Sequence, residues 1–177
     1  MFAPTSEAIK LFSKLSILVV EDSAYMRKLL GELLHALEVG TIIEAENGDD
    51  GWAKFQDYVP DIVLTDAAME PTNGFDLLRR IRAAEDARLA TVPVVMITGH
   101  CEREAVELAR DLGVTEYLAK PVTPVGLYSR LVEVAAHPRP FVRADGFFGP
   151  DRRRRATNKY DGPERRRSRS RAALLDI

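Results

Sequence analysis

At 177 residues with 46% hydrophobic residue types, the chain has material for one substantial core plus an appendage, which excludes two full domains. A single cysteine, Cys101, excludes an intramolecular disulfide and a cysteine-based metal site, and no stretch approaches the roughly 18 consecutive apolar residues of a membrane span, so a cytoplasmic protein is expected. The formal charge of -2 conceals a division: residues 138–177 hold eleven arginines and Lys159 against five acids, a net of +7, which leaves -9 for the 137 residues before them.

Residues 1–14 mix Glu7, Lys10 and Lys14 with apolar positions and read as an N-terminal extension. A first β-branched run at 17–20 predicts a strand, and Met26, Leu29, Leu30, Leu33, Leu34 and Leu37 then step at three and four residues, an amphipathic helix with Ser23 as its cap. The pattern repeats. A run at 41–45 precedes helical spacing at Trp52, Phe55 and Tyr58; a run at 62–65 precedes Leu77, Leu78 and Ile81; a run at 94–98 precedes Val106, Ala109 and Leu112, closed by Gly113. The last run, 117–119, leads into Leu127, Leu131 and Val134, where Thr123 and Pro124 supply a cap and a first-turn proline. Strict alternation of strand and helix implies parallel strands with right-handed crossovers, a doubly wound α/β domain spanning 15–137.

Ligands of such sheets gather beyond the carboxyl ends of the strands. Glu21 and Asp22 follow the first strand, Asp66 the third, Thr98 ends the fourth and Lys120 follows the fifth, so the topology predicts that all five converge on one sheet edge. Crowded carboxylates repel one another unless a cation sits between them. Magnesium suits an all-oxygen set that retains several waters; Asp22, Asp66 and the Ala68 backbone carbonyl are the expected ligands, with Glu21 reaching through water. Asp66 is then an anionic nucleophile, Lys120 a holder of one phosphoryl oxygen and the Thr98 hydroxyl a donor to another.

The residues Ile17, Leu18, Val19, Val20, Glu21, Asp22 and Ser23, Asp66 with Met69 and Gly74 behind it, Thr98 with Gly99, and Tyr117, Leu118, Ala119, Lys120 and Pro121 carry a resemblance. Together they resemble the receiver domain of two-component response regulators, chemotaxis-type single-domain receivers in particular. The resemblance implies a five-stranded flavodoxin-like sheet of order 2-1-3-4-5, phosphorylation of Asp66 by a histidine kinase or phosphotransfer protein, and a Thr98 and Tyr117 switch pair. It also implies a cis Lys120–Pro121 peptide and output by protein contact, with a flagellar motor or chemotaxis component as an example. By the same likeness, phosphorylation draws Thr98 inward, makes room for Tyr117, and alters the surface formed by the helix after the fourth strand, the fifth strand and the last helix. One departure stands out: the family commonly has proline four residues after the phosphoacceptor, whereas Glu70 occupies that place and Pro71 follows.

From residue 138 onward prolines, glycines and arginines replace apolar residues, and a disordered tail without an output module is expected. An order of residues recurs in it at an offset of 13: aromatic, any residue, glycine, proline, acid and three arginines, from Phe147 to Arg154 and again from Tyr160 to Arg167. Arginine forks phosphates and pairs with guanine, and aromatic rings stack on bases. The tail resembles the arginine-rich extensions of chemotaxis-type receivers that bind cyclic di-GMP. That likeness makes Arg152, Arg153, Arg154, Arg155, Arg165, Arg166 and Arg167 the contacts, with Phe148 and Tyr160 for stacking. A tether to nucleic acid or anionic membrane and a merely solvated tail remain open alternatives.

A haloacid-dehalogenase-like phosphatase also pairs a nucleophilic aspartate with Thr or Ser, Lys and magnesium, but it wants a second acid two residues on, where this chain has Ala68. A nucleotide-binding α/β domain would need a glycine-rich phosphate loop after a strand, and none is present.

Overall fold

The computed structural model describes residues 4–99, 103–144, 147–151 and 173–174. Five β-branched runs form the central sheet: β1 (Ser16–Val20), β2 (Thr41–Ala45), β3 (Ile62–Asp66), β4 (Val94–Thr98) and β5 (Glu116–Ala119). All pairings are parallel, in the order β2-β1-β3-β4-β5. Strands β3 and β4 are buried along their whole length, as expected of a parallel sheet covered on both faces.

The helices between strands are α2 (Ala24–Ala36), α3 (Gly48–Tyr58), α4 (Gly74–Arg82), α6 (Arg103–Asp111) and α7 (Pro124–Ala136), with a single turn, α5 (Ala87–Ala90), between α4 and β4. Their starts are capped as the sequence predicts: Ser23 accepts from the Met26 amide and Thr123 from the Gly126 amide, with Pro124 in the first turn. Gly113 closes α6 at a φ of +84°, a conformation that costs glycine little. One side of the sheet packs Ile17, Val19, Leu30, Leu34 and Leu131 into a core, and the other packs Leu18, Val63, Phe55, Leu77 and Ile81.

Two regions differ from the sequence expectation. Within the supposed N-terminal extension, α1 (Ser6–Phe12) buries Phe12 completely, edge-on to Tyr128 of α7 at 5.9 Å, so this segment seals one end of the core. Beyond α7, where a disordered tail is expected from the sequence, the described residues form strands. β6 (Phe141–Ala144) and β7 (Phe147–Pro150) pair antiparallel, with β8 (Ala173–Leu174) on the other side of β6. Three aromatic residues, Phe141, Phe147 and Phe148, lie in β6 and β7; the rings of Phe141 and Phe148 meet at 5.6 Å and give the hairpin the apolar contact that arginine-rich composition conceals.

Candidate acidic metal site

The ends of β1, β3, β4 and β5 deliver the groups at the carboxyl edge of the sheet. β1 runs out at Val20, and the Glu21 amide still bonds the Ala45 carbonyl at 3.1 Å, which leaves the Glu21 side chain only 1% exposed. Asp22 follows and is exposed. Asp66 is the last residue of β3 and is 6% exposed, fixed by the next amide, Ala67, which donates to Ile97 at 2.9 Å. One carboxylate oxygen from each of Glu21, Asp22 and Asp66 lies within 4.8 Å of the others.

Lys120, just past β5, crosses to this cluster. Its ammonium donates to Asp66 Oδ2 at 2.9 Å and to Glu21 Oε2 at 3.2 Å, and its amide donates to the Thr98 carbonyl at 2.8 Å. Burial holds the Glu21 carboxyl above its usual range, reinforced by the Asp66 charge and only partly opposed by Lys120. For Lys120 burial acts downward, yet hydrogen bonds and charges from Asp66 and Glu21 outweigh it, and the ammonium sits above its ordinary value. Burial and mutual repulsion are therefore only partly offset by the one lysine. An all-oxygen donor set with residual negative charge fits a hard divalent cation such as magnesium.

Thr98 ends β4, buried at 5% exposure, and Tyr117 is half-buried on β5, where it packs against the cluster that includes Met96 and Ala109. Ala68 lies exposed two residues past Asp66. The Lys120–Pro121 peptide is cis, as the resemblance implies, and so is Glu70–Pro71 in the loop where the sequence departs from the family pattern.

Of the supporting residues, Gly74 belongs to the motif read from the sequence, whereas Arg27 and Asp49 are not marked there. Arg27 Nη1 donates to the Glu21 carbonyl at 2.7 Å and Nε lies 3.5 Å from Glu44, holding the turn that presents Glu21 and Asp22. Asp49 accepts from the Thr72 hydroxyl and from Arg80, both at 2.7 Å, and so ties the loop after Asp66 to α3. A β-carbon on Gly74 would lie 2.0 Å from the Asp66 carbonyl oxygen; only glycine lets α4 start this close to the acid. Nothing local marks Arg27 or Asp49, since each looks like an ordinary polar helix position.

Of the tail residues, Phe148 is described: Arg143 stacks on it at 4.6 Å and Phe141 packs beside it. Arg152, Arg153, Arg154, Arg155, Tyr160, Arg165, Arg166 and Arg167 lie outside the described residues, as do His100 and Cys101.

Residues 17–132 match the family model of the response regulator receiver domain. The chain belongs to that family. It is 34% identical over 118 residues to a chemotaxis protein, CheY1, of Helicobacter pylori, a match that covers 66% of this chain and 94% of that one. It is 38% identical over 114 residues to a protein-glutamate methylesterase/protein-glutamine glutaminase of Symbiobacterium thermophilum, covering 63% of this chain but 30% of the relative, so the likeness is to one part of that protein. Among solved structures, the receiver fold of Vibrio cholerae chemotaxis protein CheY4 matches with a TM-score of 0.63 and 25% identity, over 68% of this chain and 98% of that one. The receiver fold expected from the sequence is therefore the family's, and the acidic cluster occupies its strand-end edge.

Proposed function

We propose that this receiver takes a phosphoryl group on Asp66 from a histidine kinase or phosphotransfer protein and signals through protein contacts, without catalytic turnover of its own. The supporting observation is Lys120 at 2.9 Å from Asp66 and 3.2 Å from Glu21, beside an exposed Asp22. Magnesium, held by Asp22, Asp66 and the Ala68 carbonyl with Glu21 through water, would neutralise charge on the incoming group. An Asp66 carboxylate oxygen forms the new bond to phosphorus as the donor's bond to phosphorus breaks and the donor leaves with the electron pair. Lys120 then transfers a hydrogen bond to a phosphoryl oxygen, Thr98 donates to another, and Tyr117 follows into the space that Thr98 vacates.

A small-molecule phosphodonor plus magnesium is expected to add one phosphoryl group to the wild type and none to Asp66→Asn; equal labelling of both removes the assignment. Steady release of phosphate from generic phosphoesters would instead favour a phosphatase. The relative named as a chemotaxis protein supports a chemotaxis or flagellar component as output partner, and a cytoplasmic location follows from the same reading. Among the described residues no helix is long and apolar enough to cross a membrane.

For the tail, the recurrence from Tyr160 to Arg167 of the pattern seen from Phe147 to Arg154 supports a ligand with two similar halves, and cyclic di-GMP supplies phosphates and guanines to both. Titration with cyclic di-GMP at moderate salt is expected to show saturable binding that Arg153→Ala and Arg166→Ala abolish. A weak response that vanishes with salt would point to a tether on nucleic acid or anionic membrane.

A further inference from the structure

The C-terminal hairpin is fastened to the same strand that presents Lys120. β5 stands at the edge of the parallel sheet, so its outer side has no strand neighbour in that sheet. Two arginines serve it instead. Arg139 donates to the Thr115 carbonyl and places the same nitrogen 3.1 Å from Glu116 Oε1. Arg130 donates from Nε to the Tyr117 carbonyl at 2.8 Å, with Nη1 3.9 Å from Glu116 Oε2. Glu116 is only 3% exposed, so a buried acid on β5 is held between a cation of α7 and a cation at the root of the hairpin.

Further contacts lock the hairpin down. The buried Arg82 guanidinium lies 4.9 Å from the centre of the Phe141 ring and donates to the Gly113, Ala90 and Val92 carbonyls. A β-carbon on Gly149 would lie 2.6 Å from the Gly113 α-carbon, so the two backbones nearly touch. The Asp151 amide donates to the Pro140 carbonyl at 2.8 Å and closes the hairpin at its base. Tyr117 borders a cavity of about 200 Å³ together with Val106, Arg110, Arg139 and Pro150, which puts the hairpin beside that ring.

β5 therefore has two moorings. Its far end reaches Asp66 and Glu21 through Lys120, and its near end reaches the hairpin through Glu116; the four steps from Glu116 to Lys120 span about 13 Å of extended chain. We propose that Arg139 is a positioning residue for Lys120, and that hairpin docking and occupancy of the acidic site are linked through β5. This rests on the reading of Asp66 as phosphoacceptor. A phosphoryl group on Asp66 offers Lys120 new oxygens, and following them shifts the strand. A buried ion pair tolerates such a shift poorly, because separated charges keep their desolvation cost while losing their attraction. Occupancy of the acidic site thus weakens docking, and by reciprocity undocking strengthens the site's hold on the phosphoryl group.

Beryllium fluoride with magnesium, a phosphoryl mimic, tests this on the full chain. Amide exchange of Phe141–Ala144 and Phe147–Pro150 is expected to quicken about five-fold when the mimic binds, and Arg139→Ala is expected to bind the mimic about five-fold more tightly than the wild type, as linkage of this size requires. Arg139→Lys, which retains the charge, should fall between the two. A purely structural Arg139 would leave hairpin exchange insensitive to the mimic. Unchanged exchange with the mimic bound, or equal affinities for Arg139→Ala and wild type, overturns the linkage while leaving the phosphoacceptor reading intact. Failure of the wild type to bind the mimic at all, with Asp66→Asn indistinguishable from it, sinks the phosphoacceptor reading and this inference with it.

Discussion

Lys120→Met removes one charge while keeping the length of the side chain, and its cost can be worked from the site. Lys120 meets two carboxylates at 2.9 and 3.2 Å, with side-chain exposures of 25% for the lysine, 8% for Asp66 and 1% for Glu21. At an effective dielectric near 20, each contact is worth about 5 kcal/mol before desolvation. Breaking a buried pair typically costs about 3–5 kcal/mol, and the quarter of the lysine in water argues for the lower side, so a loss of about 2–3 kcal/mol is expected in metal-free protein. Magnesium should restore part of it. At 100 times its dissociation constant an ion stabilises the folded state by about 2.7 kcal/mol, and the variant should gain about 1 kcal/mol more than wild type because no ammonium competes for the oxygens. Urea unfolding in EDTA and in saturating magnesium measures both quantities. Equal stability in EDTA, or identical magnesium increments, would show that Lys120 does not neutralise the cluster.

Glu21 has a raised pKa caused first by burial, so the folded state holds its proton more tightly than the unfolded chain; stability falls as pH rises from the ordinary value of 4.5 through the folded pKa. Glu21→Gln should flatten that fall in metal-free protein, and a variant that retains the full wild-type slope in pH-dependent unfolding would contradict it. Gly74→Ala forces a β-carbon to 2.0 Å from the Asp66 carbonyl oxygen and should cost about 3 kcal/mol while lowering the rate of Asp66 labelling, checked by denaturation and by a phosphodonor assay. Phe12→Ala, which empties a fully buried position on α1, should cost about 3–5 kcal/mol in thermal or chemical unfolding; a loss under about 1 kcal/mol would make the N-terminal helix a true appendage.

How much of this was legible beforehand depended on the distance over which a signal acts. β2 and β4 match their expected limits residue for residue, since β-branched runs flanked by polar residues are local. The acidic cluster was legible for a different reason: parallel topology places every strand's carboxyl end on one edge, so sequence order alone gathers Glu21, Asp66, Thr98 and Lys120. Tyr58 had helical spacing with Phe55 yet is 62% exposed, because α3 ends there and the chain turns away in a left-handed cap at Val59. The seven residues of α1 are too short for periodicity to declare a helix, and Phe12 earns its burial from Tyr128, more than 100 residues away.

The buried charges show most clearly why the C-terminal segment escaped notice. Arg82 follows Leu78 by four residues and Ile81 by one, on the face that α4 turns inward, but among Arg79, Arg80 and Arg82 it reads as one more cation of the last turn. Burial pulls its pKa down to about 9, still cationic at neutral pH, and among the described residues no acid pairs with it; carbonyls of Gly113, Ala90 and Val92 and the Phe141 ring face the charge. Glu116 likewise sits inside a strand that looks half-polar, and its partner Arg139 lies 23 residues on. The hairpin and its root supply part of each contact: the Phe141 ring lies against Arg82, and Arg139 joins Arg130 on Glu116. Undocking of the appended segment would strip the Phe141 ring from Arg82 and Arg139 from Glu116, and the free energy of that loss is what a signal at Asp66 would have to work against.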